Sequence, residues 1–351
     1  MDLDLRFRVV GLMALFLSLG LTPLLRKLGR ALEFTDKPGA RKSHELPISV
    51  LGGAAIFLAF IVPSLLVLRS DAPVSGVLFP SAIIFLMGLV DDVRGLPAWF
   101  RLLGQLLAAL LLVRAGIVVK ILPWTWLNIA VTLVGVIGIT NALNFLDNMD
   151  GLAAGLVCVI CVAFFSVAWL TGQRWLGVYA VALAGSCLGF LPYNVRPASV
   201  FMGDSGSTFL GFNLAALAVM GNWSENWFVA CCIPTVAMSI LIFDTILTTI
   251  MRVKTGKVSN LREWIDYVGQ DHLSHRLTEL GMDQGKAVLS IHLAGLSMAV
   301  VSVLLLGVGA NVLVATGIMG MVILFFATLF LLVKDIPGLD VAHEGTPKHT
   351  R

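Results

Sequence analysis

The chain has 351 residues, 58% of them hydrophobic and only 13% charged, with a formal net charge of +3. Soluble domains carry about 25% charged residues, so this composition excludes a soluble globular enzyme and points to one polytopic membrane domain. The small positive balance sits in loops, so no nucleic-acid partner is expected.

A bilayer core takes about 20 apolar residues per helix. Taken in chain order, such stretches fall near residues 7–26, 48–68, 73–90, 99–117, 124–143, 152–171, 175–192, 206–222, 228–251, 288–309 and 311–333. They predict an all-α polytopic membrane protein with about 11 transmembrane helices (10–11). The first stretch follows Arg6 and Arg8 and closes on Thr22-Pro23-Leu24-Leu25-Arg26-Lys27 with no small-residue cleavage site. It reads as an uncleaved span, not a signal peptide. Of the 24 Lys and Arg residues, all but Arg6, Arg8, Arg69, Arg114, Lys120 and Arg174 fall on one side if the N-terminus is outside. That excess predicts a cytoplasmic C-terminus. One transmembrane domain, 1–335, is expected, with cytoplasmic loops 27–47, 91–101, 143–151, 193–205 and 252–287 and an unstructured tail, 336–351. The five cysteines lie in apolar runs. The Cys158-x-x-Cys161 pair lacks a second pair or a nearby His, and reads as buried thiols.

Acids at membrane depth are costly and point to function. Five clusters collect at the predicted cytoplasmic ends. Asp91-Asp92 closes the third span. Asn144, Asp147 and Asp150 recur at three-residue steps in NALNFLDNMDGLAAG, all oxygen donors suited to a hard cation. In FMGDSGSTFLG, Asp204 stands where it can cap the next span and serve a metal, while the backbone amides there could hold a phosphate. His272, His275 and Arg276 lie at i, i+3 and i+4 in QDHLSHRLTELG, three cations for an anion. Lys37, Arg41, Lys42 and His44 form a basic strip in the first loop. Acids, anion binders and Gly-rich turns on one membrane face suit Mg²⁺-assisted phosphoryl transfer between a soluble donor and a lipid acceptor.

These residues carry a specific resemblance. R-K-x-H…G-G (Arg41 to Gly53), the Asp-Asp pair with R-L-L-G-Q after it, N-A-L-N-F-x-D-x-x-D-G-L-A, Y-N…P-A…F-M-G-D-S-G-S, F-D-T around Asp244 and H-R-L follow one another from about Asp36 to His292. In that order they resemble the polyprenyl-phosphate N-acetylhexosamine-1-phosphate transferases, glycosyltransferase family 4. The resemblance implies a multi-pass enzyme of the inner membrane that moves a sugar-1-phosphate, GlcNAc-1-phosphate first, from a UDP-sugar to undecaprenyl phosphate and releases UMP. It implies Mg²⁺, with Mn²⁺ as substitute, held by Asp204 and Asn144. Asp91 would orient or deprotonate the lipid phosphate with support from Asp92, and Asp147 would lie near metal and pyrophosphate. Asp150 and Phe201 would contact uracil. Arg101, His272, His275 and Arg276 would contact phosphates, and Lys42 and His44 the lipid. Relatives pair through membrane helices, which makes a second copy a candidate partner. Two departures stand out: Ser274 replaces the middle His of H-x-H-H, and Arg101 replaces the Lys of some relatives.

A transporter with an acidic ion site is the rival reading, but transporter sites lie near the midplane and these polar residues gather at one face. The CDP-alcohol phosphotransferase signature D-G-x₂-A-R-x₈-G-x₃-D-x₃-D, started at Asp150, fails at Gly155, Phe164, Ala168 and Gly172.

Overall fold

A computed structural model describes residues 3–36, 47–67, 72–267, 269–308, 311–334 and 336. Each apolar stretch foreseen in the sequence contains helix, though the stretch 48–68 begins as strand at Ile48–Ser49. In order they form α1 (Leu3–Ala31), α2 (Gly52–Val67), α3 (Ala72–Arg94), α4 (Ala98–Arg114), α5 (Thr125–Leu146), α6 (Leu152–Leu170), α7 (Arg174–Asn194) and α8 (Gly203–Met220). The bundle continues with α9 (Trp227–Ala237) and α10 (Ser239–Lys254). Two short helices follow, α11 (Leu261–Asp266) and α12 (Leu273–Glu279), before α13 (Gln284–Val308) and α14 (Val312–Val333). Among the described residues, strand is confined to β1 (Thr35–Asp36) and β2 (Ile48–Ser49), an antiparallel pair that the sequence did not announce.

This is an all-α polytopic membrane protein. Among the described residues seven helices (α1, α3, α5, α6, α7, α13 and α14) are long and apolar enough to cross a membrane, and α9 with α10 would make an eighth span. The stretch 228–251, expected as one straight span, bends by 75° between α9 and α10. Pro234 lies inside α9 and has no N–H to continue the ladder, and Met238 at the junction leaves helical dihedrals (φ −97°, ψ 10°). The described parts of α2 and α4 have 16 and 17 residues, at the short end of the range for a crossing.

Helix α8 is the centre of the bundle. Every residue from Ser205 to Leu217 is buried, against α2, α3 and α5. A helix surrounded by protein can carry polar groups if each finds a partner. Asn213 accepts from the Ser81 hydroxyl at 2.9 Å and from the Tyr179 hydroxyl, and its amide donates to the Phe209 carbonyl at 2.6 Å. The outer helices turn exposed Leu, Val and Phe outward, where lipid is their solvent, and Trp99, Trp124, Trp126, Trp169 and Trp227 stand exposed near helix ends, as interfacial Trp does.

Two glycines let neighbouring helices touch the first turn of α8. A Cβ on Gly88 of α3 would lie 2.6 Å from Ser205 Cα and 2.7 Å from the Asp204 carbonyl oxygen. One on Gly53 of α2 would lie 2.4 Å from the Gly206 nitrogen. The Gly52 and Gly53 N–H groups donate to the carbonyls of Phe201 and Met202, both at 3.0 Å. Backbone is met on both sides and cannot rotate away. Gly88→Ala is therefore expected to lower the thermal midpoint in detergent by several degrees, at an overpacking cost of about 1–3 kcal/mol. Gly138→Ala, where a Cβ meets nothing within 4 Å, is expected to leave the midpoint unchanged or raise it; equal midpoints for the two variants would show that the close approach is not needed.

Candidate active site

Helix α3 ends, α5 ends and α8 begins at the same end of the bundle, which brings the first three acidic clusters together. Asp204, in the first turn of α8, is the meeting point. Its Oδ1 accepts from Asn144 Nδ2 at 2.6 Å, and the same nitrogen lies 2.8 Å from Ser207 Oγ. Its Oδ2 faces Arg101 Nη1 at 3.8 Å. That Nη1 also binds Asp91 Oδ2 at 3.2 Å, while Asp91 Oδ1 accepts from the Leu96 N–H at 2.5 Å. Asp91 is buried, so both its oxygens are committed to holding the turn after α3 and the Arg101 side chain.

Asp92 has a different task. Its carboxylate accepts from the Asp204 N–H at 2.6 Å and the Ser205 N–H at 3.1 Å. It caps α8 from another helix, in place of a side chain at the cap position. Gly203 turns through φ +67°, and a Cβ there would lie 2.6 Å from both Asp92 oxygens, so only glycine fits. The sequence suggested that these amides could seat a phosphate. They cannot, because a carboxylate already occupies two of them.

The turn after α5 carries the next acids. Asp147 closes α5 with its N–H on the Leu143 and Asn144 carbonyls. Its carboxylate makes no hydrogen bond or ion pair among the described residues. Although part of its surface is open, it lies deep among protein atoms; that burial, then the charges of Asp204, Asp92 and Asp150, pushes its pKa up to about 8. Asn148 is fully engaged: Nδ2 donates to the Phe145 carbonyl at 3.0 Å and Oδ1 accepts from Ser274 Oγ at 2.7 Å. Asp150 accepts from the Ala198 N–H at 2.9 Å. Gly151 at φ +76° lets the chain re-enter α6, its N–H bound to Asn194 Oδ1 at 3.0 Å. Phe201 is half-buried, with its backbone between Ser49 and Gly52.

A second polar group lies beside this turn. Asp244, inside α10, binds His272 Nδ1 at 2.7 Å and accepts from the Leu273 N–H at 2.7 Å. Arg252 grips Asp271 through Nε at 2.8 Å and Nη2 at 2.6 Å, lies 3.4 Å from His272 Nε2, and sits over the Tyr267 ring at 4.7 Å. All four residues are buried. Burial works to raise the Asp271 pKa, but the Arg252 hydrogen bonds and charge outweigh it and hold the carboxyl below its usual range. His275 is only half-buried, and its ring has no hydrogen bond among the described residues; burial and then the neighbouring His272 push its pKa down.

Most of the expected residues are thus brought together: Asp91, Asp92, Arg101, Asn144, Asp147, Asp150 and Asp204 form one acidic mouth, with α12 beside it. Lys42 and His44 lie outside the described residues. Two expectations need correction. Arg276 sends Nη1 to the Val333 and Ile336 carbonyls at 3.0 and 2.7 Å and Nε to the Asp271 carbonyl at 2.9 Å. It is buried and anchors α12 to the end of α14, with its Nε and Nη1 already committed to carbonyls. His272 is likewise buried in the Asp244 network. Sequence reasoning missed Arg252, Asp271 and Asn148, whose spacings carry no signal; Ser274 was visible only as a departure.

A hard cation fits this donor set in one particular way. Among the described residues no three His, Cys, Asp or Glu side chains converge as a preformed cage. Mg²⁺ does not need one, since it commonly takes one or two carboxylates and completes its shell with water and substrate phosphates. Asp204, with 36% of its side chain exposed, and Asp147, unpartnered among the described residues, offer such oxygens. Asn144 reaches Asp204 through its amide nitrogen and so orients that carboxylate.

Comparison with known proteins agrees with this chemistry. The model of glycosyl transferase family 4 matches residues 74–222, a stretch that holds every acid of the mouth. A probable undecaprenyl-phosphate N-acetylglucosaminyl 1-phosphate transferase of Bacillus subtilis (strain 168) is 29% identical, over 95% of this chain and 93% of its own length. A decaprenyl-phosphate N-acetylglucosaminephosphotransferase of Mycobacterium leprae is 34% identical, over 81% of this chain and 80% of its own. A phospho-N-acetylmuramoyl-pentapeptide-transferase of Heliobacterium modesticaldum is 34% identical over 61% of this chain and 73% of its own. With a relative above 30% identity matched along four-fifths of both chains, and with the acids of the mouth inside the matched region, the chain belongs to glycosyl transferase family 4, among the polyprenyl-phosphate sugar-1-phosphate transferases.

Proposed function

We propose that this protein transfers N-acetylglucosamine-1-phosphate from UDP-N-acetylglucosamine to a polyprenyl phosphate, undecaprenyl phosphate first, and so begins a cell-envelope glycan. An oxygen of the lipid phosphate bonds to the β-phosphorus of the donor. The bond from that phosphorus to the bridging oxygen breaks, and UMP leaves with the electron pair. The observation that carries this reading is the convergence of Arg101, Asn144 and the Asp92-capped turn on Asp204, at the membrane-helix end where a lipid headgroup and a soluble nucleotide can meet. The names of the relatives supply the transferred group and the acceptor.

In this reading Asp204, steadied by Asn144, holds Mg²⁺ or Mn²⁺, which neutralises charge on the phosphoryl oxygens when bound. Arg101, fixed by Asp91, meets a phosphate with its remaining N–H groups. Asp147 faces the metal and pyrophosphate, His275 donates to a phosphate oxygen, Asp150 and Phe201 take the uracil, and Lys42 and His44 the lipid phosphate. Asp92 acts indirectly, by holding the turn that carries Asp204. The excess of Lys and Arg on one side orients the chain with its N-terminus outside and its site on the cytoplasmic face of the inner membrane, where nucleotide sugars are found.

Two outcomes test this. Detergent-purified protein should release UMP only when undecaprenyl phosphate, Mg²⁺ and UDP-N-acetylglucosamine are all present, and Asp204→Asn should lower kcat by about 10²–10³-fold without loss of the folded state. Full turnover in Asp204→Asn would remove the metal assignment, and turnover with another UDP-sugar alone would replace the donor.

The second outcome concerns pH. The Asp147 carboxyl ionises at about 8 in the folded chain and near 3.9 when unfolded. Its contribution to stability is therefore present below about pH 4 and is lost as pH rises through about 8. In chelator, Asp147→Asn should have a thermal midpoint that falls less than the wild type's between pH 5 and pH 8 (roughly the window set by those two values). Added Mg²⁺ should restore wild-type stability at the upper end. Parallel pH curves for the two proteins would show that Asp147 is not a strained carboxylate.

A further inference from the structure

Helix α12 has seven residues, too few to hold together without tertiary contacts. Its position is set by its anchors. Asp244 caps its start through the Leu273 N–H and holds the His272 ring. Arg276 ties it to the end of α14. Both anchors lead back to the bundle. Of the hydrogen bonds described for α12, the one from Ser274 Oγ to Asn148 Oδ1, at 2.7 Å, leads to the acidic turn.

That bond has little freedom at either end. Ser274 is fully buried. The Asn148 amide cannot turn without giving up its other bond, to the Phe145 carbonyl at the end of α5. Asn148 stands between Asp147 and Asp150, and Asp150 is pinned from the other side by the Ala198 N–H. Ser274 stands directly before His275, the half-buried imidazole of α12 without a hydrogen bond among the described residues. One hydroxyl therefore fixes the spacing between His275 and the Asp147–Asp150 turn.

We propose that Ser274 is a positioning residue for the nucleotide-sugar donor: through Asn148 it holds the two walls that grip the UDP-sugar at a fixed separation. It touches no reacting atom in this scheme. This rests on the reading of the mouth as a UDP-sugar site. Removing the hydroxyl lets α12 drift from the turn and leaves a buried amide oxygen without a donor. A displacement of about 1 Å in a positioning group can cost on the order of 10²-fold. The lipid acceptor, placed by other residues, should not sense the change.

The test is steady-state kinetics of UMP release, with each substrate varied in turn, for wild type, Ser274→Ala, Asn148→Ala, the double variant and Ser274→Thr. The expected result is a KM for the UDP-sugar raised about 10-fold in either Ala variant, at the modest end of that positioning cost. The KM for polyprenyl phosphate should stay at the wild-type value. The double variant should be no worse than the poorer single one, because both substitutions break the same bond, and Ser274→Thr, which keeps a hydroxyl, should recover at least part of the loss. Asn148→Ala approaches the bond from the other partner, so failure of one variant to fold does not remove the test. Unchanged donor KM in the variants that fold, additive effects in the double variant, or both KM values rising together would overturn the inference. Absence of wild-type turnover would overturn the transferase reading itself, and the two failures are told apart by that control.

Discussion

The two backbone N–H groups that open α8 bond to the Asp92 carboxylate at 2.6 and 3.1 Å, and the rest of the site depends on this contact. The first amides of a helix have no partner within it, and in a lipid setting an unmet amide costs several kcal/mol. Here a neighbouring helix meets them. The capping carboxylate fixes α3 against α8, and Gly203, Gly88 and Gly53 allow the backbones to approach closely enough for it. Asp204 is then carried into place by backbone, not by its own side-chain contacts. The adjacent acids of the Asp91-Asp92 pair divide the work: one holds Arg101, the other the helix start.

That arrangement has an electrostatic consequence. Arg101 is shared between Asp91 and Asp204, at 3.2 and 3.8 Å, and so offsets only part of their charge. Among the described residues Asp147 has no cation beside it, and its carboxyl is held toward the neutral form up to about pH 8. Two unit charges about 4 Å apart interact by about 4 kcal/mol at an effective dielectric near 20, so an anionic diphosphate entering this mouth alone would be repelled. A divalent cation removes the repulsion for acids and substrate together. The proposed use of a metal therefore has a support in charge balance, apart from any resemblance.

Much of this was legible in the sequence. The apolar stretches became helices, and the Asp91, Asn144, Asp147 and Asp204 clusters converged, because acids at helix ends in an apolar chain have few places to go. What was not legible depends on partners distant in sequence. Nothing in Asp91-Asp92-Val93 says that the second acid caps a helix 112 residues later. Pro234 was visible, but whether a proline kinks or breaks a membrane helix depends on what refills the lost bonds. Arg276 looked like an anion binder because it shares a helix face with two His residues. Its three carbonyl partners, two of them at the end of α14, belong to the tertiary fold. Asp244 stood out only within its F-D-T triplet, and nothing there announces that its partner is His272.

The two walls of the mouth are held by different forces. The acid wall is fixed inside the bundle by close backbone contact through glycine, which tolerates almost no change in side-chain volume. The α12 wall is held by a buried network, Asp244, His272, Arg252 and Asp271, whose charges are costly to desolvate and are worth keeping for the geometry they specify. Breaking one member leaves the others buried and unpaired, so the network ties the start of α12 to α10, while the Ser274–Asn148 bond sets its distance from the acidic turn. The segment matched by the family, residues 74–222, contains the acid wall and stops before α12. The acid wall and α12 are thus anchored by separate sets of residues, joined by the Ser274–Asn148 bond.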